Sequence, residues 1–119
     1  MANILVLMMD GDDEGAQALE ALGAAGHETR VVEPRWPECK PELPRSRPDL
    51  VIVDGRRAPS HGRATARWMS TQASLRTVPF LFVDLPDQDM GKTRRELPRA
   101  QFATWASVVG AAARLVKQR

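Results

Sequence analysis

Three aspartates, each at the end of a short apolar run, are the residues best placed for chemistry. They are Asp10, Asp54 and Asp84. If the apolar runs are parallel strands of an open α/β sheet, the three carboxylates collect at its carboxyl edge, where such sheets bind ligands. The sequence therefore predicts a polar pocket built around these aspartates, with Asp10 and Asp54 as the residues that could contribute to a metal site.

Two adjacent arginines follow the second of these aspartates. Arg56 and Arg57 come shortly after Asp54 in the sequence. A guanidinium can bind a carboxylate through two parallel hydrogen bonds, so we expect one of these arginines to form a bidentate ion pair with Asp54. The alternative interpretation is that both arginines lie on a solvated face of the loop.

The elements that must position these side chains follow from an alternation of apolar runs and helical patterns. The strand candidates are Ile4–Met9, Val31–Val32, Leu50–Val53, Val78–Val83 and Ala100–Thr104, and the helical patterns are Glu14–Ala25, Gly62–Gln72 and Ala106–Lys117. Continuous apolar runs indicate strands that are buried on both faces, as in a parallel sheet. We predict a flavodoxin-like, doubly wound α/β fold with five parallel strands in the order 2-1-3-4-5.

Two segments depart from this alternation. The stretch Pro34–Pro48 contains five prolines, and a proline inside a helix costs roughly 3 kcal/mol. We therefore predict a degraded second helix, with at most one turn over Glu38–Leu43. The fourth helical region, Asp87–Leu97, is polar and is expected to be short.

Length, charge and composition limit the class of protein. The chain has 119 residues, a net charge of +2 and a single cysteine, Cys39, so we predict one domain over residues 1–119 without a disulfide. The near-balanced charge and the six aromatic residues give no case for nucleic acid. No apolar run has the roughly 20 residues that a membrane span requires. We therefore expect a cytoplasmic protein that binds neither nucleic acid nor membrane.

The order of these elements resembles the receiver domain of bacterial response regulators. Five segments contribute to the match: Leu22–Glu28, Pro48–Asp54, Gly62, Ala73–Phe82 and Ala100–Ala106. The resemblance implies a role in two-component signal transduction and phosphorelay. It also implies that Asp54 is the phospho-acceptor, with magnesium as the cofactor and a histidine kinase or an output protein as the partner.

The sequence departs from the receiver pattern at the positions that this chemistry requires. Met8 and Met9 occupy the positions of the acidic pair, and a thioether is a poor ligand for magnesium. Asp84 replaces the usual hydroxyl residue, and Trp105 replaces the usual lysine. We therefore predict a pseudo-receiver without metal, cofactor or catalytic residue, in which an arginine replaces the missing cations.

Two aromatic residues near the end of the sheet are candidates for a switch or an interface. In receivers that this chain resembles, the face of helix four, strand five and helix five makes dimer and partner contacts. Phe102 falls at the ring position of that relay, and Trp105 would lie at the edge of the face, so we expect protein contacts or a homodimer there. The alternative is that Trp105 points inward and fills the volume left by the lysine and the acidic pair.

Two rival functions remain at this stage. The first is a genuine phospho-accepting response regulator that uses Asp54 with magnesium. The second, more distant, is a cobalamin-type or other small-ligand domain, because Asp10–Ala16 resembles the loop of cobalamin-binding domains with Asp12 in place of the cobalt-ligating histidine. We predict that the protein is not an enzyme, because no nucleophile–histidine–acid pattern and no phosphate-binding glycine loop is present.

Overall fold

The computed structural model describes residues 2–9, 13–35, 38–43, 45, 47–57 and 59–118. Five strands form one sheet: β1 Asn3–Leu7, β2 Glu28–Val32, β3 Leu50–Asp54, β4 Phe80–Val83 and β5 Gln101–Ala103. Four α-helices pack on it: α1 Asp13–Ala24, α2 Pro59–Ser70, α3 Asp87–Glu96 and α4 Val108–Gln118. All strand pairs are parallel and their order is 2-1-3-4-5, so the predicted flavodoxin-like topology is confirmed.

The central strand shows why the apolar runs are continuous. All five residues of β3 are buried, because β1 and β4 pair with its edges and helices cover both faces of the sheet. In β1 the side chains alternate between two apolar clusters: Ile4 and Val6 point to one, Leu5 and Leu7 to the other. The first cluster is completed by α1 and α4, and the second by α2 and by the connection between β2 and β3.

The proline-rich connection between β2 and β3 lacks a helix in its described residues, as predicted. It forms a single 3₁₀ turn over Lys40–Glu42. The connection nevertheless packs tightly, because Cys39 and Leu43 are both buried in the second apolar cluster. Two apolar side chains therefore replace a second helix in covering this part of the sheet.

The other helices begin or end within a few residues of the predicted bounds. The fourth helical region forms α3, which is only 10 residues long, as the polar sequence predicts. The third helical region, predicted from Gly62, begins earlier, at Pro59. This is a favourable first residue because proline has no N–H to leave unpaired there. Within the described residues, no helix has both the length and the apolar character needed to cross a bilayer.

Candidate functional site

The carboxyl edge of the sheet brings together two of the three predicted aspartates. Asp54 is the last residue of β3, and Asp84 follows β4 directly. β3 and β4 are hydrogen-bonded neighbours, with Asp54 in register with Val83. Asp10 lies outside the described residues, so its predicted place in the pocket and in a metal site stays a prediction.

Asp54 is held by Arg56 in a bidentate ion pair. Arg56 Nε lies 3.0 Å from Asp54 Oδ1, and Arg56 Nη2 lies 3.1 Å from Asp54 Oδ2. The backbone N–H of Arg56 also donates to Oδ1 at 3.0 Å. The Asp54 side chain is only 3% exposed. Both carboxylate oxygens therefore accept charged hydrogen bonds in a nearly dry environment, where such bonds are strongest.

The same guanidinium contacts two further groups. Arg56 Nη1 lies 2.9 Å from Glu14 Oε1, in the first turn of α1. The guanidinium carbon also lies 5.6 Å from the ring centroid of Trp105, within the range of a cation–π contact. Arg56 thus links the end of β3, the start of α1 and the turn after β5.

Trp105 lies inside the molecule, which corrects its proposed place at an interface. The side chain is 3% exposed and belongs to the same apolar cluster as Met8 and Val108. A methionine at the acidic position and a tryptophan at the lysine position thus make this part of the edge apolar. The inward alternative is the one observed, because the cluster offers the ring both apolar neighbours and the Arg56 guanidinium.

A short 3₁₀ turn places this ring. It spans Trp105–Ser107, and its first residue follows Thr104. The Thr104 hydroxyl accepts from the backbone N–H of Ser107 at 3.1 Å, and the Ser107 hydroxyl accepts from that of Thr104 at 3.1 Å. This reciprocal capping box fixes the direction in which the chain enters α4 and the direction of the ring.

Asp84 contributes to the backbone at this edge. Its φ is 50°, a left-handed conformation that is uncommon for residues other than glycine. Its N–H donates to the carbonyl of Ala103 at 2.9 Å, and its Oδ2 lies 3.4 Å from the N–H of Trp105. Asp84 therefore ties the loop after β4 to the end of β5.

Sequence reasoning missed Gly55 and Glu14. A Cβ on Gly55 would lie 2.6 Å from the Cα of Leu85, so the loop after β4 closes directly over the loop after β3. The only sequence signal for Gly55 was its place between Asp54 and Arg56. Glu14 was part of a predicted helix start, and nothing in the local pattern indicated that it would reach an arginine.

The remaining predicted residues lie apart from this ion pair. Arg57 is exposed on the loop. Phe102 in β5 is half-buried, with its ring centroid 6.1 Å from that of Phe82 and the guanidinium carbon of Arg94 4.8 Å from its own centroid. The Phe102 ring thus packs between the second apolar cluster and an arginine of α3.

The described donor set does not fit a divalent cation. Asp54 is already neutralised by a guanidinium, and a metal ion there would be repelled by the charge on Arg56. The neighbouring Met8 offers a thioether that magnesium does not favour. Among the residues that the structure describes, no three acidic, histidine or cysteine side chains converge on one point.

The doubly wound sheet, with an aspartate at the end of its central strand, defines this chain as a receiver-like α/β domain. No protein-family model and no curated protein matches the sequence. Two solved structures match the fold. NtrX from Brucella abortus in complex with ADP has a TM-score of 0.73 and 19% identity, and the match covers 98% of this chain and 26% of NtrX.

The second structure is the Mn²⁺-bound form of response regulator Rcp1. It has a TM-score of 0.66 and 15% identity, and the match covers 98% of this chain and 96% of Rcp1. This chain therefore spans about a quarter of the NtrX chain and nearly all of the Rcp1 chain. The two matches show that the chain has the fold of response regulator receiver domains.

Proposed function

We propose that this chain is a pseudo-receiver, a cytoplasmic protein-interaction module of bacterial signal transduction that works without metal-dependent phosphorylation of Asp54. The observation that carries this proposal is the bidentate ion pair between Arg56 and Asp54. The proposal assigns a binding function and no enzymatic activity.

The ion pair opposes phosphorylation in two ways. An aspartate that attacks a phosphoryl group needs an accessible carboxylate oxygen, and both oxygens of Asp54 are engaged within a buried site. Transfer to a carboxylate also needs a cation that bridges donor and acceptor. The guanidinium neutralises Asp54 but is fixed between Glu14 and Trp105, so it leaves no place for the donor's phosphate.

The pathway from Asp54 to the outer face is also altered. Asp84 stands where a receiver has a hydroxyl residue, and its carboxylate faces the backbone of the following turn. A second carboxylate near a phosphorylated aspartate would repel the phosphate instead of donating a hydrogen bond to it. We therefore propose that the domain holds one conformation and presents a constant surface to its partner.

The main rival function is a phospho-accepting response regulator. Two observations favour it: Asp54 ends the central strand, and the Rcp1 structure of the same fold contains Mn²⁺. For this function Arg56 would have to leave Asp54 before each transfer. The cobalamin-type alternative depends on Asp12, which lies outside the described residues, and no contact in the structure favours it.

Phosphorylation of Asp54 can be tested directly. The protein is incubated with acetyl phosphate and magnesium and analysed by intact mass spectrometry, with Asp54→Asn as the matched control. We expect no phospho-adduct on the wild type, and calorimetry should show magnesium binding no tighter than millimolar. A stoichiometric adduct that disappears in Asp54→Asn would establish the phospho-receiver and overturn the proposal.

A further inference from the structure

A groove of about 710 Å³ lies at the amino ends of β4 and β5, at the opposite end of the sheet from Asp54. Its buried lining is apolar and consists of Val78, Phe80, Leu97 and Leu115. Exposed residues surround it, including Arg76 and Arg99. The volume falls within the range of natural binding pockets, and the mixture of an apolar floor with a few charged groups is typical of them.

The two arginines of the groove carry charge that no acidic side chain neutralises. Arg99 Nη1 donates to the backbone carbonyl of Arg76 at 3.3 Å, which keeps the two residues together. Across the described part of the chain, neither guanidinium has a carboxylate within ion-pair distance. Two like charges are thus held side by side at the mouth of an apolar groove.

The acidic residue that lines the groove is already engaged elsewhere. Glu96 lies 3.1 Å from Nε of Arg63 and 3.1 Å from Nη1 of Arg67, both on α2. Its charge is therefore balanced by α2, and the groove itself stays positive. The exposed Arg94 and Arg95 of α3 extend this positive surface, because neither forms an ion pair with a described residue.

We propose that this groove binds an acidic peptide segment of a partner protein, with one apolar side chain on the groove floor and carboxylates on Arg76 and Arg99. A guanidinium binds a carboxylate bidentately, so two adjacent arginines can hold two acidic side chains of one segment. The apolar floor favours a peptide over a nucleic acid, because the charge there surrounds a pocket for a side chain instead of following a phosphate backbone.

The inference rests on the proposed function, since it names the partner of an interaction module. It also places the contact far from the phosphorylation edge. Binding at this groove needs no change at Asp54, which suits a domain whose Asp54 is held in a permanent ion pair. The partner would recognise the folded domain in the conformation described above.

Displayed random dodecapeptides provide the test, because they do not presuppose a partner. The library is selected on the wild-type protein, and the enriched peptides are synthesised and measured by fluorescence anisotropy. Two charge-reversed double variants are compared: Arg76→Glu with Arg99→Glu in the groove, and Arg30→Glu with Arg45→Glu as the control. Both pairs change the net charge equally, and all four arginines are exposed.

We expect enriched peptides that combine acidic residues with an apolar residue and that bind more weakly as salt is raised. The groove variant should bind about tenfold more weakly or worse, and the control variant within about twofold of the wild type. Replacing the apolar residue of the peptide by serine should also weaken binding about tenfold, which requires no change in the protein.

Several results would overturn the inference. They are an absence of enrichment over a selection without protein, enriched peptides without excess acid, and equal binding by both double variants. Tighter binding of a single-stranded oligonucleotide would assign the groove to nucleic acid. Self-association in sedimentation that only the groove variant abolishes would assign it to a second copy. A phospho-adduct at Asp54 with intact peptide binding would overturn the proposed function alone.

Discussion

One guanidinium, that of Arg56, contacts three different groups at the carboxyl edge of the sheet: Asp54, Glu14 and the ring of Trp105. Its side chain is 22% exposed, while that of Asp54 is 3% exposed. This difference matters, because the aspartate depends on the arginine more than the arginine depends on the aspartate. If Arg56 is removed, a buried carboxylate loses its counter-charge, whereas if Asp54 is removed, a partly solvated cation remains.

Truncation of Arg56 should therefore destabilise the fold. We expect Arg56→Ala to lower the free energy of unfolding by about 1–3 kcal/mol, because a buried charged group is left with a single backbone hydrogen bond. Urea unfolding at neutral pH measures the change. The exposed Arg57 on the same loop is the control, and Arg57→Ala should cost less than about 0.5 kcal/mol.

A double-mutant cycle with Asp54→Asn isolates the ion pair from other losses. Asparagine keeps the shape of the side chain and removes its charge. The Arg56→Ala penalty should be smaller in the Asp54→Asn background, with a coupling of about 0.5–3 kcal/mol. Additive effects of the two substitutions would show that the two residues do not stabilise one another.

Trp105 presents a different balance, because it gains from burial but carries an unpaired donor. The ring is 3% exposed, and its Nε1 is buried without a hydrogen-bond partner among the described residues. We expect Trp105→Ala to cost about 3–5 kcal/mol, as other large-to-small changes in a core do. Trp105→Phe should cost much less, because it keeps an aromatic ring and removes the unpaired N–H.

Sedimentation of the same variants tests whether Trp105 also contributes to self-association. A buried ring makes no contact with a second copy, so Trp105→Phe should sediment as the wild type does. A variant that unfolds at the wild-type urea midpoint but changes its association state would contradict the buried placement.

At the scale of elements, the contact between α2 and β3 depends on one glycine. A Cβ on Gly62 would lie 2.6 Å from Cγ1 of Val53, which is itself buried in the central strand. Gly62 therefore sets how closely α2 approaches the sheet. The position of α2 matters for the site, because the Asp54–Arg56 loop leads directly into this helix.

The same substitution at two helical glycines should have opposite effects. We expect Gly62→Ala to destabilise the protein by about 1–3 kcal/mol, because Val53 has little room to move. A Cβ on Gly110 in α4 would meet no atom of a neighbouring element within 4 Å, so Gly110→Ala should stabilise by about 0.5–1 kcal/mol. Urea unfolding of both variants measures the pair.

Partial rescue would confirm the cause of the Gly62 effect. In a Val53→Ala background the added methyl group meets empty space, so Gly62→Ala should cost less there than in the wild type. If the penalty is unchanged in that background, the steric explanation is wrong and the spacing between α2 and β3 does not depend on Gly62.

For the whole molecule, the sheet was predictable because its signals are local. Continuous apolar runs such as that of β3 identify buried parallel strands, and the prolines between β2 and β3 exclude a helix there. The alternation of strands and helices then leaves few topologies. The predicted order and the short α3 both follow from these features.

The arrangement of the site was less predictable, because it depends on contacts between distant segments. Arg56 and Arg57 are equivalent in sequence, and only the folded loop shows which one turns toward Asp54. The direction of Trp105 depends on the space left by Met8 at the end of another strand. The groove with Arg76 and Arg99 combines residues from several separate segments, so no local pattern indicated it.

The connection between β2 and β3 links the whole fold to a single titratable thiol. Cys39 is 4% exposed and its Sγ lies 3.9 Å from Oγ1 of Thr65 in α2. Burial raises the pKa of the Cys39 thiol above its ordinary value of 9.0, because the thiolate loses its hydration there. The folded state therefore holds this proton more strongly than the unfolded state does.

This difference makes part of the stability depend on pH in the alkaline range. The contribution of the thiol is fully present below the unfolded pKa of about 8.5 and is lost as the pH rises through the higher folded pKa. The stability advantage of the wild type over Cys39→Ala should therefore shrink above about pH 9, by up to about 1.4 kcal/mol per pH unit. Urea unfolding of both proteins with a reducing agent, between neutral pH and pH 10, measures it. The chain has no tyrosine, and lysine titration is common to both proteins, so it cancels in the comparison. A constant difference across this range would show that the thiol ionises equally in the folded and unfolded states, and that the connection does not seal it from water.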